Sequence, residues 1–270
     1  MSEEDVSVAV SPRHSVRIGA EYAAWIKRAP SQDFVVRTIM KREAGGMPLM
    51  SAEIVIAGIK TRGDYPLAET YPLHFRKTYY PGRLHGDPRQ EMERQNEAAA
   101  ILGLPPAIGA THQTFRSCFL PGTPYTRLSP FGADPEEANL AHARKLNLAA
   151  AAGLWRLLED AHAALEKLHR AGLAHGDAEL HNFVVCPAPL EILMIDFEVA
   201  VTKAELGDAA FEQRCRADFI PLLREAICLQ CSLGRQPGPL AELAFQRLNE
   251  LFRAPERFRQ EIGDQSAPTA

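Results

Sequence analysis

Long apolar runs and an apolar leader are both missing from this sequence. No stretch approaches the roughly 18 consecutive apolar residues that a membrane-spanning helix requires. The first residues, Met1–Asp5, are polar and acidic, whereas a secretory signal peptide has a positively charged start and an apolar core. We therefore expect no membrane span and a cytoplasmic location.

A cysteine pattern and an excess of positive charge are also missing. The five cysteines are scattered, and the Cys228-x-x-Cys231 pair has no second pair or histidine spacing that would complete a zinc site. We therefore expect the cysteines to be buried, reduced thiols. The net charge of −4 disfavours a surface that coats nucleic acid, so we expect no nucleic-acid partner. What is present is 270 residues, 46% of them apolar, which is enough for a large core.

Three polar residues stand at suggestive spacings in the second half of the chain. Asp177 belongs to His175-Gly176-Asp177, Asn182 follows it by five residues, and Asp196 follows Asn182 by fourteen. Carboxylate and amide oxygens on adjacent loops are ligands that Mg²⁺ accepts. One tight loop could therefore aim Asp177 at a reacting hydroxyl and Asn182 at a metal.

The residues between these loops predict a buried hairpin. Phe183–Cys186 and Leu190–Ile195 are short apolar runs, and Pro187-Ala188-Pro189 separates them as a turn. These flanking segments fit the geometry of a tight loop that carries Asp177 and Asn182.

Together these features resemble the active site of the protein-kinase-like superfamily. His-Gly-Asp in place of His-Arg-Asp is similar to its atypical members: RIO and Bud32-type kinases, lipopolysaccharide core kinases, and aminoglycoside and choline phosphotransferases. The resemblance implies that Asp177 is catalytic and accepts the proton of an acceptor hydroxyl. It also implies that Asn182 and Asp196 bind Mg²⁺, and that ATP is the second cofactor.

The motif departs from the common kinase pattern in ways that concern regulation. Asp196-Phe197-Glu198 replaces Asp-Phe-Gly, a change that small-molecule kinases often carry, and Gly176 stands where an Arg would bind a phosphorylated activation loop. Asp218, which resembles the Asp that supports the catalytic loop, follows Glu198 by only twenty residues without an Ala-Pro-Glu motif. We expect no switch by activation-loop phosphorylation.

The resemblance further implies a lysine on a strand of the small lobe. Tyr71–Tyr80 predicts a strand, and its Lys77 matches the lysine that contacts the α- and β-phosphates. Arg76 is the competing residue, and strand alternation places the two side chains on opposite faces.

A helix with several acidic residues follows that strand. Pro88–Leu102 is rich in helix formers, and Gly103 ends it. In the superfamily a glutamate of this helix pairs with the lysine, and three acids compete for that role here. We favour Glu97, because Asn96-Glu97 before an apolar turn resembles the family pattern, with Glu93 as the alternative.

The glycine-rich phosphate loop of kinases has only a weak counterpart. Phe34–Met40 and Ala52–Ala57 predict two strands, and Gly45 and Gly46 lie between them without a Gly-x-Gly-x-x-Gly pattern. The two glycines would either let backbone N–H groups approach a phosphate or form an ordinary hairpin turn. Thr61–Pro66 is expected to be a further turn.

The expected fold class is α+β, a two-lobed protein-kinase-like fold with an antiparallel-sheet N-lobe and a mainly helical C-lobe. The predicted divisions are an extension over residues 1–33 with a helix at Arg17–Arg28, the N-lobe over 34–120, the C-lobe over 121–262, and a mobile tail over 263–270. Ser2–Ser15 is expected to be mobile, and Leu120–Pro124 to be the hinge. Asp134 is expected to start helical structure that continues to Arg170.

The function implied is the ATP- and Mg²⁺-dependent transfer of a phosphoryl group to a hydroxyl group. The short distance from the hinge to His175 leaves little room for the extra helices of small-metabolite kinases. This favours an atypical Ser/Thr protein kinase or an envelope-sugar kinase. A small-molecule kinase of the aminoglycoside or choline type, and a catalytically silent pseudokinase, remain as alternatives.

Overall fold

The computed structural model describes residues 5–44, 47–80, 87–125 and 152–233. The chain forms two compact units. The first unit comprises residues 1–122 together with two later segments, 188–190 and 195–200. The second unit comprises the remaining residues. Gly45, Gly46, the helix start expected at Asp134 and the tail expected over 263–270 lie outside the described residues.

The first unit begins with a hairpin and a helix. Strands β1 (Val6–Ala9) and β2 (Ser15–Ile18) pair antiparallel, and helix α1 (Ala20–Arg28) follows. The turn is closed by the Ser11 hydroxyl, which accepts a hydrogen bond from the His14 amide at 3.1 Å. The expectation that Ser2–Ser15 is mobile is therefore wrong for the hairpin, and the expected helix starts at Ala20 instead of Arg17.

A five-stranded antiparallel sheet in the order β3-β4-β5-β7-β6 is the main element of the first unit. It is followed along the chain by elements of the second unit. The strands and the helix of this region are β3 (Phe34–Ala44), β4 (Met47–Ile56), β5 (Leu73–Tyr79), α4 (Pro88–Leu102), β6 (Ala107–Ala110) and β7 (Thr114–Cys118).

One face of this sheet is apolar at one end and polar at the other, as the residues of β5 show. Antiparallel pairing places Ile56 opposite Leu73 and Ala52 opposite Lys77, so these residues share one face. At its apolar end, that face packs with Val10 of the N-terminal hairpin, which is fully buried. At its polar end it carries Lys77.

The connection between β4 and β5 is helical, which corrects one expectation. Helices α2 (Ile59–Asp64) and α3 (Pro66–Thr70) occupy the segment for which a turn at Thr61–Pro66 was predicted. Pro66 is compatible with helix here because it stands in the first turn, where its missing N–H has no intrahelical partner. Ala68 of α3 is fully buried in a cluster with Ala57 and Ile108.

The second unit is mainly helical. Its long helices are α5 (Ala152–Arg170) and α7 (Asp208–Leu233), which lie before and after a group of short strands. One small sheet has the order β11-β10-β8, and the strands β12 and β9 form another. The short elements are β8 (Thr123–Pro124), β9 (Leu173–Ala174), β10 (Phe183–Pro187), β11 (Leu190–Met194), β12 (Val201–Thr202) and α6 (Lys203–Leu206).

Helix α5 supplies much of the core of the second unit. Its apolar residues recur every three or four positions, which places them on one face. Each of them is at most 1% exposed: Leu154, Leu157, Leu158, Ala161, Leu165 and Leu168. These residues form the buried stripe of α5.

The α+β fold class is confirmed, with an antiparallel sheet early in the chain and long helices later. Among the described residues, none of the helices has the length and apolar character needed to cross a bilayer. The described cysteines Cys118 and Cys186 are buried free thiols, and burial raises the pKa of Cys118 to about 12. The side chains of Cys228 and Cys231 lie outside the described residues.

Candidate active site

Lys77 is a buried cation surrounded by carboxylates. Its Nζ donates to Glu91 Oε1 at 3.1 Å, to Asp196 Oδ1 at 2.7 Å and to Glu198 Oε2 at 2.7 Å. All four residues belong to the first unit, because the chain returns to it at residues 195–200. The structure therefore brings together two of the predicted site residues, Lys77 and Asp196.

The partner expected for Lys77 on α4 is wrong. Glu97 pairs instead with Arg94 three residues away, at 3.1 Å, and its side chain is 39% exposed. Glu93, the alternative, is exposed. The buried positions of α4 are Pro88, Glu91, Gln95 and Ala98, a spacing of three and four residues that defines one helix face. Glu91 is the acid on that face.

The caps of α4 explain why this helix begins and ends where the sequence predicts. The Asp87 side chain accepts a hydrogen bond from the Arg89 amide at 2.9 Å, and Pro88 occupies the first turn. Gly103 ends the helix with a φ of 72°, a left-handed conformation that favours glycine. These caps fix where α4 begins and ends, and so where Glu91 lies on the helix.

Burial and charge act in opposite directions on the Lys77 pair. Burial favours neutral Lys77, but the carboxylates of Glu91, Asp196 and Glu198 outweigh burial and raise its pKa. Lys77 is therefore a permanent ammonium. Burial raises the pKa of the Glu91 carboxyl to about 7, against the opposing effect of Lys77.

Asp196 has a backbone conformation that is unusual for a residue other than glycine. Its φ is 66°, in the left-handed region. Strained conformations of this kind persist where the surrounding structure holds them, and they concentrate at functional sites. Here the Asp196 side chain reaches Lys77 and is still 38% exposed, so it remains accessible to a ligand.

Arg76, the alternative to Lys77, serves a separate network on the other face of the sheet. It pairs with Glu53 at 2.6 Å and with Asp33 at 3.1 Å. Asp33 also pairs with Arg116 at 2.7 Å, the residue directly opposite Arg76 on β7. Burial raises the pKa of Asp33, but the Gly58 amide and Arg116 outweigh burial and lower that pKa to about 2. Arg76 therefore has a structural role.

The predicted catalytic loop lies in the second unit, and its residues contact one another. The Asn182 Nδ2 atom donates to the Asp177 carbonyl at 2.8 Å and to Asp177 Oδ2 at 3.1 Å. Asp177 is exposed and Asn182 is buried. His175 is fully buried, and its Nδ1 accepts a hydrogen bond from the Asp177 amide at 3.3 Å. His181 is exposed.

Asp218 holds this loop from helix α7. Its Oδ2 accepts the His175 amide at 2.8 Å and its Oδ1 accepts the Gly176 amide at 2.9 Å. His169 of α5 contacts the same carboxylate, with Nε2 2.9 Å from Oδ2. Gly176 has a φ of 83°, so a side chain at this position would be strained. The expected supporting role of Asp218 is confirmed.

The donor set fits the cofactors that the sequence implies. Around Lys77, three carboxylates face one ammonium, and this excess of negative charge is suited to a divalent cation. In the second unit, both of these hydrogen bonds of the Asn182 amide use Nδ2, so its Oδ1 is the oxygen that could bind a metal. Within the described ranges, however, no group of three or more His, Cys, Asp or Glu side chains is arranged so that it could hold a metal ion.

Sequence reasoning missed three contacts of this site. Glu91 was one of the competing acids and could have been found by counting back seven residues from Ala98 along the buried face. Glu198 was noted only as a departure from a motif, and its contact with Lys77 depends on the fold. The hydroxyl of Tyr79 donates to Glu91 Oε2 at 2.7 Å. Strand alternation could have placed Tyr79 on the same face as Lys77, because it lies two residues later.

Comparison with known proteins gives similarities only at the level of solved structures. Neither a protein-family model nor a curated protein sequence matches the chain. The chain is similar to the Rio2 kinase from Chaetomium thermophilum in a complex with ADP, Mg²⁺ and phosphoaspartate. The identity is 16%, the TM-score is 0.44, and the match covers 83% of this chain and 63% of that one.

A second similarity is to the PknI kinase domain of Mycobacterium tuberculosis, crystallised as a double mutant. The identity is 17%, the TM-score is 0.41, and the match covers 74% of this chain and 76% of that one. The chain spans less than two thirds of the length of the Rio2 kinase chain described above.

Proposed function

We propose that this protein is an ATP- and Mg²⁺-dependent phosphotransferase that moves the γ-phosphoryl group to an acceptor hydroxyl. The observation that supports this most directly is the contact of one buried lysine with two specific acids. Lys77 on a sheet strand contacts Glu91 on the following helix and Asp196 of the Ile-Asp-Phe-Glu motif. A lysine held in this way suits the positioning of nucleotide phosphates.

The residues of the first unit would bind and neutralise phosphate. The Lys77 ammonium stays charged because of its carboxylate neighbours, so it can attract phosphate oxygens. Glu91 holds it from the helix side, and Asp196 presents a partly exposed carboxylate for Mg²⁺. Bound Mg²⁺ would neutralise the charge that develops on the transferred group.

The residues of the second unit would serve the acceptor. Asp177 is exposed, and its Oδ2 accepts one hydrogen bond from Asn182, which orients the carboxylate. A carboxylate in this position can accept the proton of an acceptor hydroxyl. Asn182 would contribute its remaining oxygen to Mg²⁺. Asp218 keeps the backbone of the loop in place through two charge-assisted hydrogen bonds.

The proposed acceptor class is supported by the length of the chain between its elements. The short connections before His175 and after Glu198 favour a protein Ser/Thr acceptor or an envelope sugar. Glu198 in the motif favours a small metabolite of the aminoglycoside or choline type as the alternative. The cytoplasm is the proposed location.

A catalytically silent binding module is a second candidate, and one contact favours it. Glu198 Oε2 accepts a hydrogen bond from Lys77 Nζ as the third carboxylate around it, and so competes with phosphate for the ammonium. If that competition cannot be overcome, the fold would bind partners without transferring phosphate.

One experiment separates these candidates. We would measure binding of Mg²⁺–ADP by calorimetry, and transfer of labelled phosphate from ATP to a panel of proteins, sugars and amino alcohols. For Asp177→Asn we expect normal Mg²⁺–ADP binding and at least a 100-fold loss of transfer, because the proton acceptor is removed. Asp208→Asn, an exposed acid of the same unit, is the matched control.

The outcomes have distinct meanings. Binding with no transfer to any acceptor would favour the binding module. A wild-type chain that does not bind Mg²⁺–ADP would refute the proposed function. Equal transfer by Asp177→Asn and the control would refute the role of Asp177.

A further inference from the structure

Tyr79 contacts both members of the buried Lys77–Glu91 pair. It lies two residues after Lys77 on β5, so the two side chains share one face of the sheet. The Tyr79 hydroxyl donates to Glu91 Oε2 at 2.7 Å, while Lys77 Nζ donates to Glu91 Oε1 at 3.1 Å. Each oxygen of this carboxylate therefore has its own donor.

Both residues are removed from water, which makes the contact strong. Glu91 is 1% exposed and Tyr79 is 7% exposed. A hydrogen bond to a charged group is worth more than a neutral one, and a buried acceptor that loses its donor is not rescued by solvent. The Tyr79 ring also lies beneath the ammonium, with Lys77 Nζ 5.4 Å from the ring centroid.

We propose that Tyr79 is a positioning residue for phosphate binding, because it fixes the Glu91 carboxylate with one oxygen directed at Lys77. This inference rests on the proposed function and assigns Tyr79 a place in the same site. Tyr79 would act through Glu91, and its hydroxyl also interacts with Glu198, which contacts the same ammonium. Without the hydroxyl, Glu91 can rotate about its terminal bond, and the ammonium loses its fixed partner on α4.

The charged groups around Glu91 determine how removal of the Tyr79 hydroxyl changes the Glu91 pKa. Lys77 and Tyr79 face it from β5, and Asp196 and Glu198 face it from residues 195–200. Lys77 and Tyr79 favour the ionised carboxylate, whereas burial and the two acids oppose it. Removal of the Tyr79 hydroxyl therefore raises the Glu91 pKa further above its value of about 7.

The test compares Tyr79→Phe with Tyr80→Phe in the full chain. Tyr80 is the exposed neighbour and provides a matched control. We would measure the Kd of Mg²⁺–ADP by calorimetry between pH 6 and 9, with circular dichroism to check that each variant is folded. For Tyr79→Phe we expect binding about tenfold weaker at pH 7 and a smaller loss near pH 9, where Glu91 is ionised again but its carboxylate still lacks the hydroxyl that fixes it. Tyr80→Phe should match wild type throughout.

A double-mutant cycle separates this role from general packing. Glu91→Gln removes the group through which Tyr79 acts, so its binding should depend less on pH, and adding Tyr79→Phe should weaken it by less than twofold more. Wild-type binding by Tyr79→Phe at every pH would overturn the inference. So would a loss that is independent of pH and additive with Glu91→Gln. Failure of wild type to bind Mg²⁺–ADP would instead overturn the proposed function and this inference together.

Discussion

Substitution of Asp218 by asparagine tests how the predicted catalytic loop is held. In the wild type, the two carboxylate oxygens accept two different backbone amides, those of His175 and Gly176. Asparagine offers one oxygen and one N–H donor, so in either orientation one of these amides faces a donor. The substitution also removes the charge that strengthens the remaining bond.

The magnitude follows from these contacts. Losing one buried, charge-assisted hydrogen bond costs about 1.5–3 kcal/mol, and weakening the second costs roughly 1 kcal/mol more. We expect a total of about 3 kcal/mol, which corresponds to about a 100-fold change in an equilibrium constant. Stability of about 5–15 kcal/mol is normal for a domain, so the variant should still fold.

Amide hydrogen exchange is the appropriate assay, because it reports opening of the loop residue by residue. In Asp218→Asn, the His175 and Gly176 amides should exchange about 100-fold faster than in wild type. Glu212→Gln, which breaks an exposed pair with Arg216 on the same helix, is the control and should leave both rates unchanged. Unchanged protection of both amides in Asp218→Asn would refute the reasoning.

Two further predictions concern the first unit. Asp33→Asn should lower the free energy of unfolding at pH 7 by about 1–2 kcal/mol after allowance for solvent screening, because it leaves Arg76 and Arg116 directly opposed. The Asp33 pKa is lowered from 3.8 to about 2, so the stabilisation by Asp33 is present above pH 4 and is lost as the pH falls towards 2. Urea titrations of the wild type and of Asp33→Asn between pH 2 and 7 would measure this difference in the free energy of unfolding. Glu91→Gln should weaken Mg²⁺–ADP binding at pH 8 about tenfold, whereas Glu97→Gln should leave it unchanged, because of these two acids Glu91 contacts Lys77 and Glu97 pairs with Arg94. Equal Kd values for these two variants would count against Glu91 as the partner.

Features that depend on neighbouring residues were predictable from the sequence. The bounds of α4 agree with its signals, because Asp87, Pro88 and Gly103 act within a turn of the helix ends. The contact between Asp177 and Asn182 is similarly local, since five residues separate them in one loop. Such features need no knowledge of how distant segments pack.

Features that depend on packing were harder to predict. The choice between Glu91 and Glu97 depends on which face of α4 is buried, and the local motif around Asn96 gave the wrong answer. Asn96 in fact serves the backbone, since its Oδ1 accepts the Ala107 amide at 2.9 Å. The hairpin β1–β2 was missed because four-residue strands carry a weak pattern, and burial of Val10 against the sheet stabilises them.

The charge balance around Lys77 constrains how the first unit could bind a nucleotide. With Glu91 ionised, three carboxylates face a single ammonium, so negative charge is in excess before any phosphate arrives. A nucleotide without a metal would add like charge to this cluster and would be repelled. Asp196 and Glu198 would hold a divalent cation carried with the phosphates, and its positive charge would offset that repulsion. If the proposed function is right, Mg²⁺ is therefore required for the binding step itself, and not only for the transfer of the phosphoryl group.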